Sequence, residues 1–454
     1  LELYPAPAAA APGASERVQL PLSRNKLLVF VSDMMSYSYK PAGEQHLLLQ
    51  SWLLRKPFTS DPGKREVVTL PPMMQEERVH ITALQLRVPG GGFSTASAWT
   101  MWSMATDGVI KIPYRRLDVD EYYDPDTDGV TGKLYTCHAA CISDTFMFFF
   151  DNDYFKLSQE EAQHMGVGQR NLCEVGMEVF HEAGHTKDTL KGFYCGVYVG
   201  EKNTDFRFLT PAILQWEGMT GSASPYFHSG YNPGITCTRL SYIYGMRGPC
   251  FDVDTACSSA LVAMGDANRT LRARQGGQRR PGVSCDLRHV LVMGMDLVDG
   301  IGSIQGYCFA HMVSTFGRSM TFDKSANGFV RGDCAGGLLM TRSDSDEDSQ
   351  NMVAMVLGTN VNQDGRSASL SAPNGPAQQQ VIKKSMRFAG INPNTVSIAE
   401  CHGTGTALGD PIEVGALMAV MHTREFPILK TSAKSNIAHL EAGAGMAGGT
   451  KWMM

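Results

Sequence analysis

No stretch of this 454-residue sequence approaches the roughly 18 consecutive apolar residues of a membrane span, so membrane insertion is not expected. Nor is there an excess of basic charge: 40 Lys and Arg stand against 45 Asp and Glu, a formal charge of −5. That balance supplies no electrostatic footprint for nucleic acid or an anionic surface. The eleven cysteines include no CxxC pair and no dense cluster in a short domain. A disulfide-stapled scaffold is thereby excluded, and the thiols read as reduced and intracellular, in the cytoplasm or a plastid. The start, LELYPAPAAAAPG, lacks an initiating Met, a charged n-region and an apolar h-region, and reads as a Pro/Ala linker or processed end rather than a secretory signal. What remains, 43% hydrophobic and 19% charged, suffices for a sizeable core.

Residues 1–77 mix linker composition, broken by Pro41, Pro57, Pro62, Pro71 and Pro72, with one helical patch from His46 to Lys56. They read as an extension or linker. A strand candidate begins at Val79 in VHITALQLRVPGG, closed by a Pro-Gly-Gly turn. Leu172, Val175 and Val179 then recur at helical spacing. FYCGVYVG, CFDVD and HVLVMGMDLV read as strands, separated by helical segments, and the alternation resumes after the acidic SDSDEDSQ (Ser343 to Gln350), a surface loop and seam. Beyond it NMVAMVLGTNV, VSIAECH and PILKTSA carry strand patterns around the helices of QQQVIKKSMRFAG and DPIEVGALMAVMH. Strands alternating with helices predict an α/β fold, with boundaries at 1–77, 78–345 and 346–454.

The chemistry concentrates in three segments. In DTACSSAL, Cys257 stands where a strand turns into a helix. The free N–H groups and partial positive charge of a helix start favour a thiolate and are expected to lower its pKa, and the same N–H groups can hold an oxyanion. His402 in ECHGTGTALGDPIE and His439 in KSNIAHLEAGAG each leave a predicted strand in a polar or glycine-rich loop, where α/β folds place function. One cysteine with two loop histidines points to thioester chemistry.

These segments, GPCFDVDTACSSALVA, ECHGTGTALGDPIEVGAL and KSNIAHLEAGAG, resemble the three signatures of β-ketoacyl synthases, specifically the ketosynthase domains of modular polyketide synthases. FVRGD, RLSYIYGMRGP and TNVNQDGRSASLSAPNGPAQQQ add to the resemblance, which runs from about Val79 to the C-terminus. It implies a thiolase-like fold of two βαβαβαββ halves in α-β-α-β-α layers, the second half incomplete, working as a homodimer with acyl carrier protein. By motif, Cys257 is the nucleophile that takes an acyl group from a phosphopantetheine thioester. His402 and His439 hold the thioester oxygen of a malonyl-type extender as CO2 leaves, Lys434 orders and polarises the site, and Thr404 and Thr406 bind the pantetheine arm. No bound cofactor and no metal is implied, since the substrates travel on the phosphopantetheine of the carrier. The implied activity is decarboxylative Claisen condensation in polyketide or fatty acid biosynthesis; the alternative is a weakened or non-catalytic subunit serving in synthase assembly.

Several positions depart from the pattern. Ala438 replaces a glycine before the second histidine, Leu440 replaces a Thr or Ser after it, and MGVGQR stands where Met-Asp-Pro-Gln-Gln-Arg is usual. GYCFAHMVSTFGRSMTFD lacks the expected Ser-Pro-Asp-Gly, and the family's further strands and Gly-Phe-Gly-type gating loop beyond Trp452 are not in the sequence. Three motifs compete. His181-Glu182-Ala183-Gly184-His185 matches HExxH, yet Gly184 reads as a helix end where a zinc protease needs both histidines inside the helix. Gly443, Gly445 and Gly448 satisfy GxGxxG without a second strand to follow, and read as tight helix packing. Asp410 and Glu413 could form an acid–base pair, but at a helix start they are expected to cap free N–H groups.

Overall fold

The computed structural model describes residues 2–5, 18–19, 35–38, 78–127, 132–202, 224–272, 287–343, 352–369 and 371–454. The helical patch expected at His46 to Lys56, and residues 344–350 of the acidic loop, lie outside them. Within the unit Leu1–Arg55, β1 (Glu2–Pro5) lies between β2 (Val18–Gln19) and β3 (Met35–Ser38), pairing antiparallel with both.

The second unit, Lys56–Met454, carries the remaining strands. They are β4 (Arg78–Arg87), β5 (Val109–Lys111), β6 (His138–Ala140), β7 (Cys195–Glu201), β8 (Cys250–Val253), β9 (His289–Asp296), β10 (Cys334–Ser343), β11 (Ala354–Met355), β12 (Ile398–Glu400) and β13 (Leu429–Thr431). Its main sheet has the order β11-β4-β10-β9-β7-β8, with β7 parallel to β8 and β9, and β10 antiparallel to β4 and β9. The apolar runs of β7, β9 and β10 suit a sheet covered on both faces. Helix α1 (Val167–Glu182) covers one face with Leu172, Val175 and Val179 against Val197, Leu291 and Leu339. On the other, helix α2 (Ser259–Leu271) lays Ala260, Ala263 and Ala267 against Tyr198, Val290 and Val292.

Two local features fix these faces. Along β4 the pairing skips Thr82, so that Leu339 faces Ala83 and Met340 faces Ile81. The extra residue reverses the alternation: Ile81 and Leu84, three apart, enter the same core. At Gly200 an added Cβ would stand 2.5 Å from the Ala260 amide nitrogen. Only glycine lets the start of α2 approach β7 this closely.

Beyond the main sheet, helices α3 (Gly375–Ala389) and α4 (Gly409–Met421) pack on the parallel pair β12–β13, and α4 makes the crossover between those strands. Two short helices, α5 (Lys434–Ile437) and α6 (Ala444–Lys451), follow β13. Among the described residues no helix is long and apolar enough to cross a membrane.

Candidate active site

β8 ends at Val253, and the chain reverses within a few residues into α2. Asp254 Oδ1 accepts the Ala256 amide at 3.0 Å, and Ser259 Oγ accepts the Thr255 amide at 2.8 Å while donating to the Ala256 carbonyl at 2.7 Å. These bonds hold Ala256 at φ +54°, a left-handed conformation rare for a residue with a side chain. Cys257 follows in the 3₁₀ turn Ala256–Ser258, half-buried at the mouth of α2. The position is as expected, but the expected lowering of its pKa is not found. Burial pushes the thiol up, Lys434 opposes this, and Glu441 adds to it. Desolvation, invisible in a local helix-start argument, outweighs the nearby cation.

His402 leaves β12 and Lys434 follows β13, so the parallel pair delivers both to one end. The backbone amides of His402 and Gly403 donate to Oε1 and Oε2 of Glu413 at 2.5 and 2.8 Å, and Asp410 accepts the amides of Gly405 and Phe322 at 3.1 and 2.8 Å. Both carboxylates are therefore structural, as expected, but they secure the His402 loop and its neighbour rather than capping their own helix. Gly403 sits at φ +49° with room for no Cβ, since one would come within 2.7 Å of Thr321 Cγ2. Thr404 and Thr406 lie on the same loop with their hydroxyl oxygens 3.1 Å apart, and Thr406 Oγ1 accepts the Gly409 amide at 3.2 Å.

His439 is pinned to another segment: its amide donates to the Val330 carbonyl at 2.7 Å, and its carbonyl accepts the Gly332 amide at 3.0 Å. Its ring stands perpendicular to that of His402, with centroids 5.2 Å apart. Burial first, then Lys434, Arg331 and Lys202, holds the His439 imidazole well below its ordinary pKa. His402 is also held well below, by desolvation on its crowded side, then by Lys434 and His439; its other edge is open to solvent, which tempers the first cause but not the other two. Both rings are neutral at pH 7. Lys434 is buried, which lowers its pKa, while Glu413 and Cys257 work in the opposite direction.

The tautomer of His439 follows from one bond. The amide of Glu441 donates to Nδ1 at 3.0 Å, so that nitrogen is an acceptor and the ring proton resides on Nε2. Glu441, at φ +46°, is itself clamped. Oε2 accepts from Tyr307 Oη at 2.7 Å and Lys202 Nζ at 3.2 Å, and Oε1 accepts from Arg331 Nε at 2.9 Å. None of these four was singled out by sequence. Arg331 lay in the FVRGD match and Glu441 two residues past the histidine, whereas Tyr307 and Lys202 carry no motif.

One ligand atom each of Cys257, His402 and His439 lies within 4.8 Å of the others, the one such trio of metal-binding side chains among the described residues. A metal on Nε2 of His439 would require a ring without a proton on Nδ1 to surrender its other one. The trio is better suited to a carbonyl oxygen that needs N–H donors. HExxH fails differently. α1 stops at Glu182, Gly184 has φ +84°, and His185 packs 4.6 Å from Phe193, ring centroid to centroid. Glu182 instead accepts the Leu84 amide at 3.1 Å. Of the GxGxxG glycines, Gly443 packs on Cys334, and Gly445 packs on Leu261 of α2.

The departures have local consequences. Ala438 adopts φ +63° and ψ −169°, a region natural to glycine. Leu440 turns into the core at 1% exposure, where a Thr or Ser hydroxyl would need a partner. Gly166, in place of an Asp, begins α1 with no side-chain cap.

Residues 76–346 match the family described as Beta-ketoacyl synthase, N-terminal domain, and residues 353–454 its C-terminal domain. The chain is 35% identical over 377 residues to the pikromycin polyketide synthase component PikAIII of Streptomyces venezuelae, covering 82% of this chain and 23% of that protein. To polyketide synthase GfsB of Streptomyces halstedii it is 36% identical over 386 residues, covering 84% of this chain and 7% of that one. Among solved structures, the oxazolomycin ketosynthase domain of Streptomyces albus superposes with a TM-score of 0.73 at 28% identity, covering 83% of this chain and 62% of that one. The ketosynthase from module 6 of the bacillaene synthase of Bacillus subtilis 168 gives 0.70 at 29%, covering 83% and 60%. The chain thus spans a small part of the synthases it resembles and under two thirds of the solved ketosynthases. With its mixed α/β, thiolase-like fold and both halves matched, it belongs to the β-ketoacyl synthase family of acyl-transferring condensing enzymes.

Proposed function

We propose that the chain is a polyketide-synthase-type ketosynthase that performs decarboxylative Claisen condensation, with the acyl chain held on Cys257. The observation that carries this is the convergence of Cys257, His402 and His439, from three separate segments, to within 4.8 Å.

In the first half-reaction the Cys257 sulfur attacks the carbonyl of an acyl-pantetheine thioester. The tetrahedral oxyanion collapses, the pantetheine sulfur leaves with the proton that Cys257 gives up, and the acyl group stays on Cys257. Exchange between sulfurs is nearly balanced in energy, and a thiolate is intrinsically nucleophilic. In the second, a malonyl thioester places its carbonyl oxygen against the two imidazoles. The bond to the carboxylate breaks, CO2 departs, and the electron pair forms an enolate. Neutral rings stabilise it by N–H donation without first yielding a proton; the Nε2–H of His439 has the form this requires. The enolate carbon attacks acyl-Cys257, a carbon–carbon bond forms, and the thiolate leaves. Lys434 keeps both imidazoles neutral and supports the thiolate. Thr404 and Thr406 offer hydroxyls to the pantetheine arm, and residues 78–345 and 346–454 act as two halves of one catalytic unit. Family membership further supports acyl carrier protein as the partner and a homodimer as the working form.

The test separates the two half-reactions. Cys257→Ala should abolish the acyl mass increment on the protein while leaving CO2 release from malonyl-pantetheine, and His402→Ala should depress CO2 release while leaving acyl loading. An active protein in which both variants lose loading equally, with CO2 release untouched, would overturn the assignment.

A further inference from the structure

Beside His439 lies a charged group that the proposed mechanism does not use. Glu441 gathers Tyr307 at 2.7 Å, Arg331 at 2.9 Å and Lys202 at 3.2 Å on its carboxylate, and Arg331 continues to Asp296 at 3.1 Å. Tyr307 comes from the helix Gly302–Phe309 and Lys202 from the residue after β7, so the clamp joins segments distant in sequence.

We propose that Lys202 and Tyr307 are positioning residues that act through Glu441 to keep His439 neutral and protonated on Nε2. Glu441 holds a left-handed conformation at φ +46°, which is uphill for a residue with a side chain and persists only where surroundings over-determine it. The clamp supplies that determination. In this conformation the Glu441 amide points at Nδ1 of His439, 3.0 Å away, and excludes a proton there. The hydroxyl of Tyr307 remains protonated, its pKa pushed up to about 12 by burial and then by Glu441, so it is a permanent donor to the carboxylate. Lys202 stays cationic: burial works against its charge, and Glu441 with Tyr307 outweighs it. Its charge and that of Arg331 in turn oppose an imidazolium at His439. One group of residues thus sets the tautomer of the ring and adds to the burial and the Lys434 charge that keep it neutral. The alternative role, packing alone, would require no hydroxyl on Tyr307 and no charge on Lys202.

The consequence for decarboxylation rests on the condensing reading above; the tautomer does not. Nitrogen-15 NMR of histidine-labelled protein should show His439, identified by its loss in His439→Gln, with an unprotonated, hydrogen-bonded Nδ1. Tyr307→Phe should shift that signal toward a mixture of tautomers. A histidine in the wrong tautomer costs up to about 10⁴ in a serine protease, and with Arg331 still in place the expected fall in kcat for CO2 release in Tyr307→Phe is about tenfold. Its KM and acyl loading of Cys257 should stay unchanged. Lys202→Met should move the acid limb of the rate profile to higher pH, and Lys202→Arg should restore it. A protonated Nδ1 in the wild-type protein, or an unmoved signal in Tyr307→Phe, would overturn the proposal. The expected tautomer in a protein that releases no CO2 would instead count against the condensing reading and leave the positioning intact.

Discussion

Glu413 grips the backbone of His402 rather than its ring, accepting the amide at 2.5 Å through Oε1 and that of Gly403 at 2.8 Å through Oε2. Burial raises the pKa of this carboxyl, while the two amides and Lys434 lower it. In Glu413→Gln one oxygen becomes an NH2 that faces an N–H donor, so one of these exposed or part-buried amides loses its partner, at about 0.5–1.5 kcal/mol. The loss of negative charge also removes the strongest support for a cationic Lys434. The unfolding midpoint should fall and CO2 release should weaken together. An unchanged midpoint would mean that the loop is held by Asp410 and by Ser432, whose hydroxyl donates to the His402 carbonyl at 3.1 Å.

Ala438 makes a second prediction because it pays for its methyl group with its backbone. The side chain is fully buried beside Val109, Ala140 and Val330, and φ is +63°. Ala438→Gly forfeits about 0.8 kcal/mol of apolar burial and about 0.5–1 kcal/mol of chain entropy. Against this stands backbone strain of about 1–3 kcal/mol. Chemical denaturation should therefore find the variant within about 1 kcal/mol of wild type or more stable, unlike an alanine-to-glycine change at ordinary φ. A loss above about 2 kcal/mol would show that the conformation is unstrained.

These positions mark where sequence reading succeeds and where it stops. Strands β7 and β9 were legible because a sheet buried on both faces writes itself as a continuous apolar run, whereas β10 was not singled out. The skipped residue at Thr82 was not, since the pairing of β4 with β10 creates it and no local pattern encodes it. Cys257, His402 and His439 were found because each lies in a distinctive loop at a strand or helix end. The clamp on Glu441 was not, because two of its partners, Tyr307 and Lys202, lie 134 and 239 residues away in the chain and belong to no motif. The same limit reversed the sign for Cys257: a helix start is local, whereas the burial that outweighs it is tertiary.

The dependence of stability on pH should come from a carboxylate pair outside the site. Glu201 on β7 and Asp252 on β8 are neighbours, and each has a buried oxygen without a hydrogen-bond partner. Burial and then Asp252 push Glu201 well above the ordinary carboxylate range, and burial and then Asp254 push Asp252 to about 7. Both groups hold protons in the folded state that the unfolded chain has released, so stability falls as pH rises from about 4 toward 7 on their account. The melting temperature should rise between pH 8 and pH 6 as the pair protonates, about one pH unit either side of the Asp252 transition. Asp252→Asn should flatten the rise. An unaltered slope in that variant would assign the pH dependence to other groups.

The last prediction concerns the thiol itself. Among the described cysteines, Cys141, Cys173, Cys195, Cys237, Cys308, Cys334 and Cys401 are buried, whereas Cys257 is half-buried, as are Cys137 and Cys250. Access and the neighbouring Lys434 cation together favour Cys257 as the first site of alkylation, although its pKa is raised and not lowered. The rate should accordingly climb through pH 7 to 9 without a plateau near neutrality, since thiolate is the reactive form and an unperturbed thiol titrates near 8.5. Lys434→Met removes the one cation that pulls the thiol down, and should move the whole profile to higher pH. Peptide mapping after brief iodoacetamide treatment reads both effects. Faster labelling of Cys137 or Cys250, or a faster reaction of Cys257 in Lys434→Met, would show that Lys434 does not support the thiolate.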